Sequence, residues 1–523
     1  MEKDKTYNAV VIGSGIGGLA AASVLARIKH YRVLVLEQHF KLGGFTHTFQ
    51  RPGGYEWDVG LHYVGEMNPG NPLRRAMDFI TGGEVDWVAM KDPFETFLYP
   101  GLKFEVSAGR KGYLRKLQDF FPGEAQALRR YFRDLDLAAN SLHGQGMPAR
   151  LLKRESFIQH CREMALQTLG SYLDSHFRDP RLKGLLASQW GDYGLPPKLA
   201  SFGLHSIIVK HYLEGGYYPV GSSSQLAKAA ARVVEAEGGS LRVRHKVRRI
   251  LVENGKAVGV EVENSGGMET VKASEIYSDA GAEATYGKLL SGNGIDPAEL
   301  QEISSATAYG VVTLYLGLKT KGEALGIHGQ NFWIYDGFDH DSIWERRNLL
   351  AQGVATSCYL SFPGIKNTKA KRPTAEIIAP LDHEVFQFWQ GTNWMKRGPE
   401  YQGLKNKITE ALLSFVETRL PGFREIVATV ELSTPLSVEY FMGHRGGAIY
   451  GYPGTRRRYG LKSLKPKTPV KGLTLVGVDA GSLGVAGAMM GGVMGVVAQH
   501  GLGILSQVFK TVEPKTVSQC GIE

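Results

Sequence analysis

Apolar and polar positions along this chain fall into blocks that predict both strands and helices. Residues 10–12 form a short uninterrupted apolar run, which indicates a strand buried on both faces. A Gly-rich turn over residues 13–18 follows, and then a stretch rich in Ala and Leu that predicts a helix. A second apolar run covers residues 33–36. Strand, helix and strand at this spacing predict a β-α-β unit with two parallel strands.

The rest of the chain mixes helical and strand patterns. Residues 66–214 show little alternation and are rich in Arg, Leu and aromatic residues, so we expect mainly helices there. A helix is also predicted over residues 226–237, because serines at 222–224 can cap its start and Gly238 can stop it. Strands are predicted over residues 241–245, 247–253, 257–263, 275–278, 311–318, 427–432 and 471–479, with a type I′ hairpin turn at Asn254-Gly255.

The turn after the first strand has the spacing G-x-G-x-x-G, and each glycine has a separate physical task. Gly13 makes the tight turn, Gly15 lets the backbone approach a pyrophosphate, and Gly18 lets helix and strand pack closely. The first N–H groups of the helix have no partner within it and carry partial positive charge, which suits phosphates. Glu37 follows the second strand and can accept hydrogen bonds from a ribose diol, while its charge disfavours a 2′-phosphate. These features in register predict a dinucleotide site.

The other end of the chain favours FAD over NAD. Gly43-Gly44 offers a second small-residue step beyond Glu37, of the kind that lets backbone pass the ribityl and phosphate groups in flavoproteins. Residues 471–479 predict a strand that stops at Asp479 and leads into a Gly-rich helix start. The Asp479 carboxylate can bond a ribityl hydroxyl, and the helix dipole can stabilise the negative charge of reduced flavin. The alternative is a simple buried strand–helix pair.

These elements predict an α/β protein with a discontinuous Rossmann-type FAD-binding domain and an inserted α+β substrate domain. The three parts of the FAD-binding domain are expected at residues 1–65, 215–285 and 471–510. A helical part of the substrate domain is expected at residues 66–214, a part with a mixed sheet at 286–470, and a tail at 511–523.

Composition bears on ligand binding, on the redox state of the cellular compartment and on metal binding. The chain has 66 glycines, where average usage would give about 37, and this excess fits close backbone approach to a ligand. Cys161, Cys358 and Cys520 form no CxxC pair and no even framework, so we expect a reducing compartment and no metal site. His205 and His211, at helical spacing, are interpreted as residues of a helix face and not as a metal pair.

Charge and hydropathy bear on whether the chain spans a membrane or attaches to its surface. Residues 480–509 carry no formal charge, yet the run is Gly-rich and directly follows Asp479, so a helix buried against the sheet is expected and not a span. The net charge is +10, and basic clusters at residues 242–249 and 456–458 are interpreted as solvated faces or loops, with attraction to an anionic membrane as the functional alternative. Neither cluster forms a nucleic-acid-binding motif. The N-terminus shows no signal sequence, so the expected location is cytoplasmic with peripheral membrane attachment.

Several strings in the chain resemble one family of flavoproteins. The Gly-rich fingerprint, Gly43-Gly44, residues 55–60 and the Asp479 element resemble the phytoene desaturase and carotenoid isomerase superfamily. Its retinol saturase branch, the all-trans-retinol 13,14-reductases, is similar at residues 58–65, 200–206, 211–224, 439–448 and 485–488. The resemblance covers nearly the whole chain in the same order. Vertebrate members carry an N-terminal secretory-pathway signal that is not found here, and residues 320–430 match no string of the family.

The resemblance implies an FAD enzyme that acts on a C=C bond of a hydrophobic, retinoid or carotenoid-like polyene, with 13,14-reduction of all-trans-retinol as the first expectation. Flavin exchanges a hydride with an apolar carbon, and saturation also needs a proton from a Tyr, a His or a water. The proton-donor candidates are His62, Tyr63, Tyr217, Tyr218, His444 and Tyr450, with packing or hydrogen bonding as the alternative role for each. The residues expected to hold the cofactor are Gly13, Gly15, Gly17, Gly18, Glu37, Gly43, Gly44, Val247, Asp279, Gly281, Asp479, Val485 and Ala486.

Other functions share this architecture. Carotenoid desaturation and cis–trans isomerisation use the same flavin fold, and the sequence leaves the direction of hydride transfer open. An amine oxidase is disfavoured, because no aromatic sandwich precedes the C-terminal flavin element. A flavin-free prenyl-lipid escort protein of the GDP-dissociation-inhibitor type is disfavoured by the Gly triplet, Glu37 and Asp479. With one dinucleotide fingerprint, NAD(P)H is expected only as a transient electron donor, and a quinone or a carrier protein is equally allowed. The sequence does not define the oligomeric state.

Overall fold

Two seven-stranded sheets organise the chain in a computed structural model that describes residues 7–143, 155–306 and 308–510. The predicted tail at 511–523, with Cys520, lies outside the described residues. The strands are β1 (Tyr7–Ile12), β2 (Val33–Leu36), β3 (Thr48–Arg51), β4 (Tyr55–Asp58), β5 (Trp87–Ala89), β6 (Glu95–Tyr99), β7 (Leu102–Val106), β8 (Tyr217–Pro219), β9 (Ser240–Arg242), β10 (Lys246–Glu253), β11 (Lys256–Asn264), β12 (Gly267–Ser278), β13 (Val311–Leu318), β14 (Asn331–Tyr335), β15 (Ser357–Ser361), β16 (Thr374–Pro380), β17 (Val427–Ser433) and β18 (Leu473–Leu475).

Helices cover the sheets and fill most of the segment between β7 and β8. They are α1 (Ile16–Lys29), α2 (Pro72–Thr81), α3 (Arg110–Phe120), α4 (Ala125–His143), α5 (Glu155–Leu166), α6 (Leu169–His176), α7 (Pro180–Ala187), α8 (Phe202–Tyr212), α9 (Ser224–Ala236), α10 (Pro297–Ser305), α11 (His340–Glu345), α12 (Pro363–Lys366), α13 (Gly398–Glu417), α14 (Pro435–Met442), α15 (Gly484–His500) and α16 (Gly503–Val508).

The first sheet has the order β10-β11-β12-β1-β2-β9, and β18 pairs with β12. Strands β9, β2, β1, β12 and β18 run parallel, while β10 and β11 form an antiparallel hairpin on β12. Asn254 and Gly255, at the hairpin turn, both have positive φ, as a type I′ turn requires. The strands of this sheet come from three separated stretches of chain, which confirms the predicted discontinuous Rossmann-type fold.

Two strands of the first sheet are shorter than predicted. The run at 241–245 ends as a strand at Arg242, because Arg244 adopts a left-handed conformation with φ of 58°. The run at 471–479 is a strand only over Leu473–Leu475, because Gly477, with φ of 79°, turns the backbone away. Both turns lie at the carboxyl edge of the sheet, where ligands of open α/β folds bind.

The second sheet has the order β17-β13-β16-β15-β14-β6-β7. Its last two strands come from residues 95–106, inside the segment for which mainly helices were expected. Every residue of β6 is buried, so its sequence lacks the alternation that would have marked it as a strand. The mixed sheet expected at 286–470 therefore draws two strands from earlier in the chain.

Helix α15 lies in the interior and packs on α1, as predicted for the uncharged C-terminal run. The two helices approach so closely that a Cβ on Gly492 would overlap the carbonyl of Gly17, and one on Gly491 would overlap the carbonyl of Gly477. In the part of the chain that the structure describes, no helix combines the length and the apolar character needed to cross a bilayer. The glycines of α15 serve backbone packing.

Candidate functional site

A cavity of about 1400 Å³ lies between the two sheets. Its walls include Ile12 and Leu36 from the first sheet and Thr313, Tyr315 and Ile378 from the second. One small-molecule pocket usually measures roughly 300–1,000 Å³. The cavity therefore has room for a cofactor together with a second ligand.

Most of the residues predicted to hold the cofactor line this cavity. Gly18 and Ala486 do not line it, although each adjoins a residue that does. The predicted residues in its wall are Gly13, Gly15, Gly17, Glu37, Gly43, Gly44, Val247, Asp279, Gly281, Asp479 and Val485. Among the proton-donor candidates, His62, His444 and Tyr450 are in the wall, and Tyr63, Tyr217 and Tyr218 are not.

The Gly-rich turn brings three backbone segments into contact. Gly13 has φ of 94°, a left-handed conformation that would strain a side chain. A Cβ on Gly17 would lie 2.7 Å from Oδ1 of Asp279 and would overlap the backbone of Gly477. The N-cap residue of α1, Gly15, supplies no side-chain cap, so the start of the helix keeps donors and positive charge for an anion. This arrangement fits the diphosphate of a dinucleotide.

Glu37 is held firmly at the end of β2. Its Oε2 accepts hydrogen bonds from the N–H and the hydroxyl of Ser14, at 2.9 and 2.7 Å, and its Oε1 accepts one from the N–H of His39 at 2.7 Å. A carboxylate has about four acceptor positions, so capacity remains on the side that faces the cavity. The geometry suits a ribose diol.

Asp279 is a buried carboxyl directly beneath the Gly-rich turn. It accepts a hydrogen bond from the N–H of Gly18, and its Oδ2 lies where a side chain on Gly15 would have to go. Burial raises the pKa of this carboxyl to about 7, and the nearby Glu37 and Asp479 add to the rise. A bound diphosphate would favour the neutral form of Asp279 further, because an ionised Asp279 and the nearby diphosphate would both be negative and would repel each other.

Asp479 joins backbone segments from three parts of the chain. Its Oδ2 accepts the N–H of Ala282 and its Oδ1 accepts the N–H of Tyr452, both at 2.7 Å. Arg458 lies 4.0 Å from Oδ1 and donates to the carbonyl of Val478. Asp479 therefore fixes the loops at this end of the cavity in addition to lining it.

The basic clusters are more paired than the sequence indicated. Arg458 is 4 % exposed, so its predicted place on a solvated face is wrong: the guanidinium is turned inward to backbone carbonyls beside Asp479. Its neighbour Arg457 pairs with Glu302. In the other cluster, Arg248 and Arg249 pair with glutamates on β11. Pairing therefore neutralises part of each cluster, while Arg244, Lys246 and Arg456 have no ion pair among the described residues.

His62 is the proton-donor candidate with the most unusual surroundings. It follows β4, lines the cavity, and places Nδ1 3.0 Å from Oε2 of Glu376. The Nζ of Lys366 donates to the backbone carbonyl of His62 at 2.5 Å. Burial, with the positive charge of Lys366, lowers the pKa of His62 to about 3, so the ring is neutral at ordinary pH.

His444 and Tyr450 line the cavity but have other partners. Nδ1 of His444 lies 2.9 Å from the carbonyl oxygen of Ala448, and the ring is 5.6 Å from that of Phe45. The hydroxyl of Tyr450 donates to the carbonyl of Gly191 at 3.2 Å. Each therefore has a structural role that accounts for part of its bonding capacity.

Tyr63 is buried behind the cavity between two carboxyl groups. Its hydroxyl lies 2.5 Å from Oε1 of Glu95 and 2.7 Å from Oδ2 of Asp192. One hydroxyl has one proton, so one of these carboxyls must donate in return. Consistent with this, burial raises the pKa of Glu95 to about 7 and that of Asp192 well above its usual value. Tyr63 belongs to this network and does not contact the cavity.

Tyr218 and Tyr217 hold the loop that carries His62. The hydroxyl of Tyr218 donates to Asp58, which also accepts the N–H of Ser223 at 3.1 Å. Tyr217 exchanges two backbone hydrogen bonds with Val64, at 2.8 and 2.9 Å. The loop after β4 is thus clamped on both sides of His62.

Sequence reasoning missed Glu376 and Lys366. Both lie in residues 320–430, where no family string was found. A signal was nevertheless present, because Glu376 interrupts the otherwise apolar β16, and a lone charge in a buried strand needs a partner.

Fold and site together define a Rossmann-type, flavin-dependent oxidoreductase. The family description "NAD(P)-binding Rossmann-like domain" matches residues 11–80. An all-trans-retinol 13,14-reductase of Rattus norvegicus is 31 % identical over 93 % of this chain and 84 % of its own length. A prolycopene isomerase of an Oncidium hybrid is 26 % identical, over 91 % of this chain and 81 % of that protein. A putrescine oxidase variant superposes with a TM-score of 0.63 at 16 % identity, over 96 % of this chain and 99 % of that one, and shows the shared fold alone.

The chain belongs to the all-trans-retinol 13,14-reductase family. The family resemblance, the α/β fold, the oxidoreductase class and the flavin are therefore confirmed.

Glu37→Ala should weaken FAD retention while the fold stays intact. The variant removes hydrogen bonds to a charged acceptor, each worth about 1.5–3 kcal/mol, so the affinity should fall roughly ten- to a hundred-fold. Flavin absorbance per protein after gel filtration measures the occupancy, and the melting temperature checks the fold. Glu253→Ala, on an exposed position of β10, is the control and should keep full flavin content. Equal occupancy in the two variants would contradict the role of Glu37.

FAD affinity should decrease as the pH rises through about 7. Ionisation of Asp279 places a second negative charge beside the diphosphate, and each pKa unit by which the diphosphate raises that pKa changes the affinity about tenfold. Titration of the flavin-free protein with FAD between pH 6 and pH 8.5 measures the slope. Asp279→Asn cannot ionise there, so its affinity should be flatter with pH. A slope that survives in this variant would assign the effect to another group.

Proposed function

We propose that this protein is a reductase that saturates one C=C bond of a retinoid-like polyene, with all-trans-retinol as the first candidate substrate. The observation that carries this proposal is the cavity, which continues from the Gly-rich turn to apolar and aromatic walls on the second sheet. A linear apolar substrate can lie there beside the cofactor, and the named activity of the rat relative is a reduction at such a bond.

The cofactor and the chain divide the chemistry between them. A bound reduced flavin supplies a hydride equivalent. The chain must hold the polyene against it, exclude water and provide a proton for the neighbouring carbon. Wall residues such as Phe49, Tyr315 and Ile378 supply apolar contact, and His62 is one of the titratable wall residues whose Nε2 has no partner among the described residues.

Anaerobic turnover tests the reaction directly. Holoprotein reduced chemically, which bypasses the natural donor, is mixed with all-trans-retinol or with a linear carotene, and the product is analysed by mass spectrometry. We expect a gain of two mass units and reoxidation of one flavin per product. Oxidised holoprotein is the matched control and should give no such product.

The other outcomes identify the alternatives. A loss of two mass units by the oxidised protein would indicate a desaturase, and an unchanged mass with altered double-bond geometry would indicate an isomerase. Flavin that stays reduced with every polyene would contradict the proposal.

We propose that the electrons reach the flavin from outside the chain, with NAD(P)H as a transient donor. The support is that the Gly-rich cradle fits one dinucleotide, so a second has no comparable site of its own in the sequence. A quinone or a reduced carrier protein satisfies the same chemistry.

We further propose that the cavity opens toward an anionic membrane surface. Exposed apolar side chains lie at its rim: Phe40 is 49 % exposed, Trp394 39 % and Met395 79 %, and all three also line the cavity. Tyr440, 58 % exposed, lies 6.2 Å from Trp394 between ring centroids. Aromatic residues favour the membrane interface, where one end is apolar and the other is wet.

Charge at the same rim suits acidic lipids. Lys396 and Arg397 directly follow Met395, and Arg397 and Lys405 line the cavity beside the ring of Tyr401. No ion pair involves these three cations among the described residues. Each cation near an anionic surface adds about 1 kcal/mol of attraction. Together with the exposed rings, they favour a lipid bilayer as the partner of this face.

Vesicle co-sedimentation should detect this attachment. We expect the protein to bind vesicles that contain phosphatidylserine, to bind neutral vesicles less, and to lose binding in high salt. The double variant Trp394→Ser with Met395→Ser should bind several-fold more weakly. Met268→Ser removes an apolar side chain that is 59 % exposed and outside the cavity wall, and this variant should bind like the wild type. Absence of binding to acidic vesicles would contradict the proposed membrane attachment.

A further inference from the structure

Two buried charged side chains lie behind His62, and neither lines the cavity. Glu376 on β16 is 0 % exposed, and its Oε2 lies 3.0 Å from Nδ1 of His62. Lys366 ends α12 and is 8 % exposed. Burial of two charged groups beside one ring is costly unless they interact or change their protonation. The cluster therefore indicates a role beyond packing.

The histidine has one buried edge and one open edge. Nδ1 is fully buried 3.0 Å from Oε2 of Glu376, but the two atoms are not aligned for a hydrogen bond, and among the described residues neither Nδ1 nor the carboxyl oxygens of Glu376 have another hydrogen-bond partner. Nε2 has no partner there either, and it is not fully buried. The ring packs against Tyr359, with 5.4 Å between centroids. His62 can thus present Nε2 to a ligand in the cavity while Nδ1 stays with the carboxyl group.

Protonation states follow from the same burial. Burial raises the pKa of Glu376 to about 8, although Lys366 opposes the rise, so the carboxyl holds a proton at neutral pH. The ring of His62 is neutral there. A small rotation of either side chain aligns a protonated carboxyl to donate to Nδ1, and the proton of the ring itself is then on Nε2. Asp58 is the other ionisable group that acts on His62.

Lys366 is close enough to Glu376 for their charges to influence each other, although the two side chains form no ion pair or hydrogen bond in the structure. Its Nζ donates to Asn331 Oδ1 at 3.0 Å and to Ser361 Oγ at 2.6 Å, in addition to the carbonyl of His62. Burial lowers its pKa to about 7, and Glu376 is the largest opposing influence. The ammonium form would be favoured as soon as Glu376 becomes an anion.

We propose that His62 donates the proton that completes reduction of the C=C bond, and that Glu376, supported by Lys366, is the positioning residue that orients His62 and restores its proton. This inference rests on the proposed function. It adds two residues, Glu376 and Lys366, that are not among the candidates predicted from the sequence, and it assigns one donor among those candidates.

The step balances in atoms and electrons. A bound reduced flavin would supply hydride to one carbon of the double bond, and the electron pair of the π bond would form the second C–H bond. The proton in that bond leaves Nε2 of His62 as the proton of Glu376 moves to Nδ1. Glu376 ends as a carboxylate beside Lys366 and regains a proton from solvent before the next turnover.

Glu376→Gln separates proton delivery from positioning. The amide keeps the shape of the side chain and can still donate to Nδ1, but it cannot give up a proton. We expect the single-turnover rate of the reduced protein to fall by about a hundred-fold or more, with unchanged flavin content and substrate affinity, and with a larger solvent deuterium isotope effect. Asp134→Asn removes another buried carboxyl, 4 % exposed, on α4, where it accepts from Tyr172 and contacts neither His62 nor Lys366, and it is the matched control.

A second readout is independent of turnover. In protein with ¹⁵N-labelled histidines, His62, assigned with His62→Gln, should be neutral with its proton on Nε2. A proton on Nδ1 would overturn the proposal, and so would a wild-type rate with a wild-type isotope effect in Glu376→Gln. If the wild type reduces no polyene, the proposed function fails, and the tautomer of His62 alone then decides whether the arrangement of the pair is correct.

Discussion

The structure depends on direct backbone contact at the Gly-rich turn. The turn after β1, the Gly477 turn after β18 and the start of α15 meet without side chains between them. Close packing of this kind leaves little tolerance for even one added carbon. These segments come from opposite ends of the chain, and their contacts also form the wall of the cofactor site. The same contacts therefore stabilise the fold and shape the site.

The loop that carries His62 depends on a second set of contacts. Asp58 and Tyr218 clamp one side, and the N–H of Gly65 donates to Nε2 of His211 at 2.9 Å on the other. His211 was expected to be a residue of a helix face; it is one, and its ring anchors this loop. The strings that resemble the family therefore include many residues that hold backbone in place, in addition to those that face a ligand.

Much of the first sheet could be predicted because its signals are local. The strands at 33–36 and 311–318 were predicted to the residue, as apolar runs bounded by polar or turn residues. The strand β6 was missed although it forms a local hairpin with β7, because all of its residues are buried and its sequence shows no alternation; its other partner, β14, is more than two hundred residues away. Gly13 and Glu37 could be found from spacing, since their chemistry fixes their distance along the chain. Glu376 could not, because its partner His62 is brought to it by the fold of a different segment.

The order of the strands has a consequence for synthesis on the ribosome. β1 and β2 emerge among the first forty residues, but β18, Asp479 and α15 emerge only after about nine-tenths of the chain has been made. Domains fold from the N-terminus as they are translated. The early β-α-β unit therefore stays partly exposed to solvent until β18 and α15 have been synthesised. Cells would therefore load flavin onto the finished polypeptide, and translation that stops before Leu473 would yield a product with no closed nucleotide pocket.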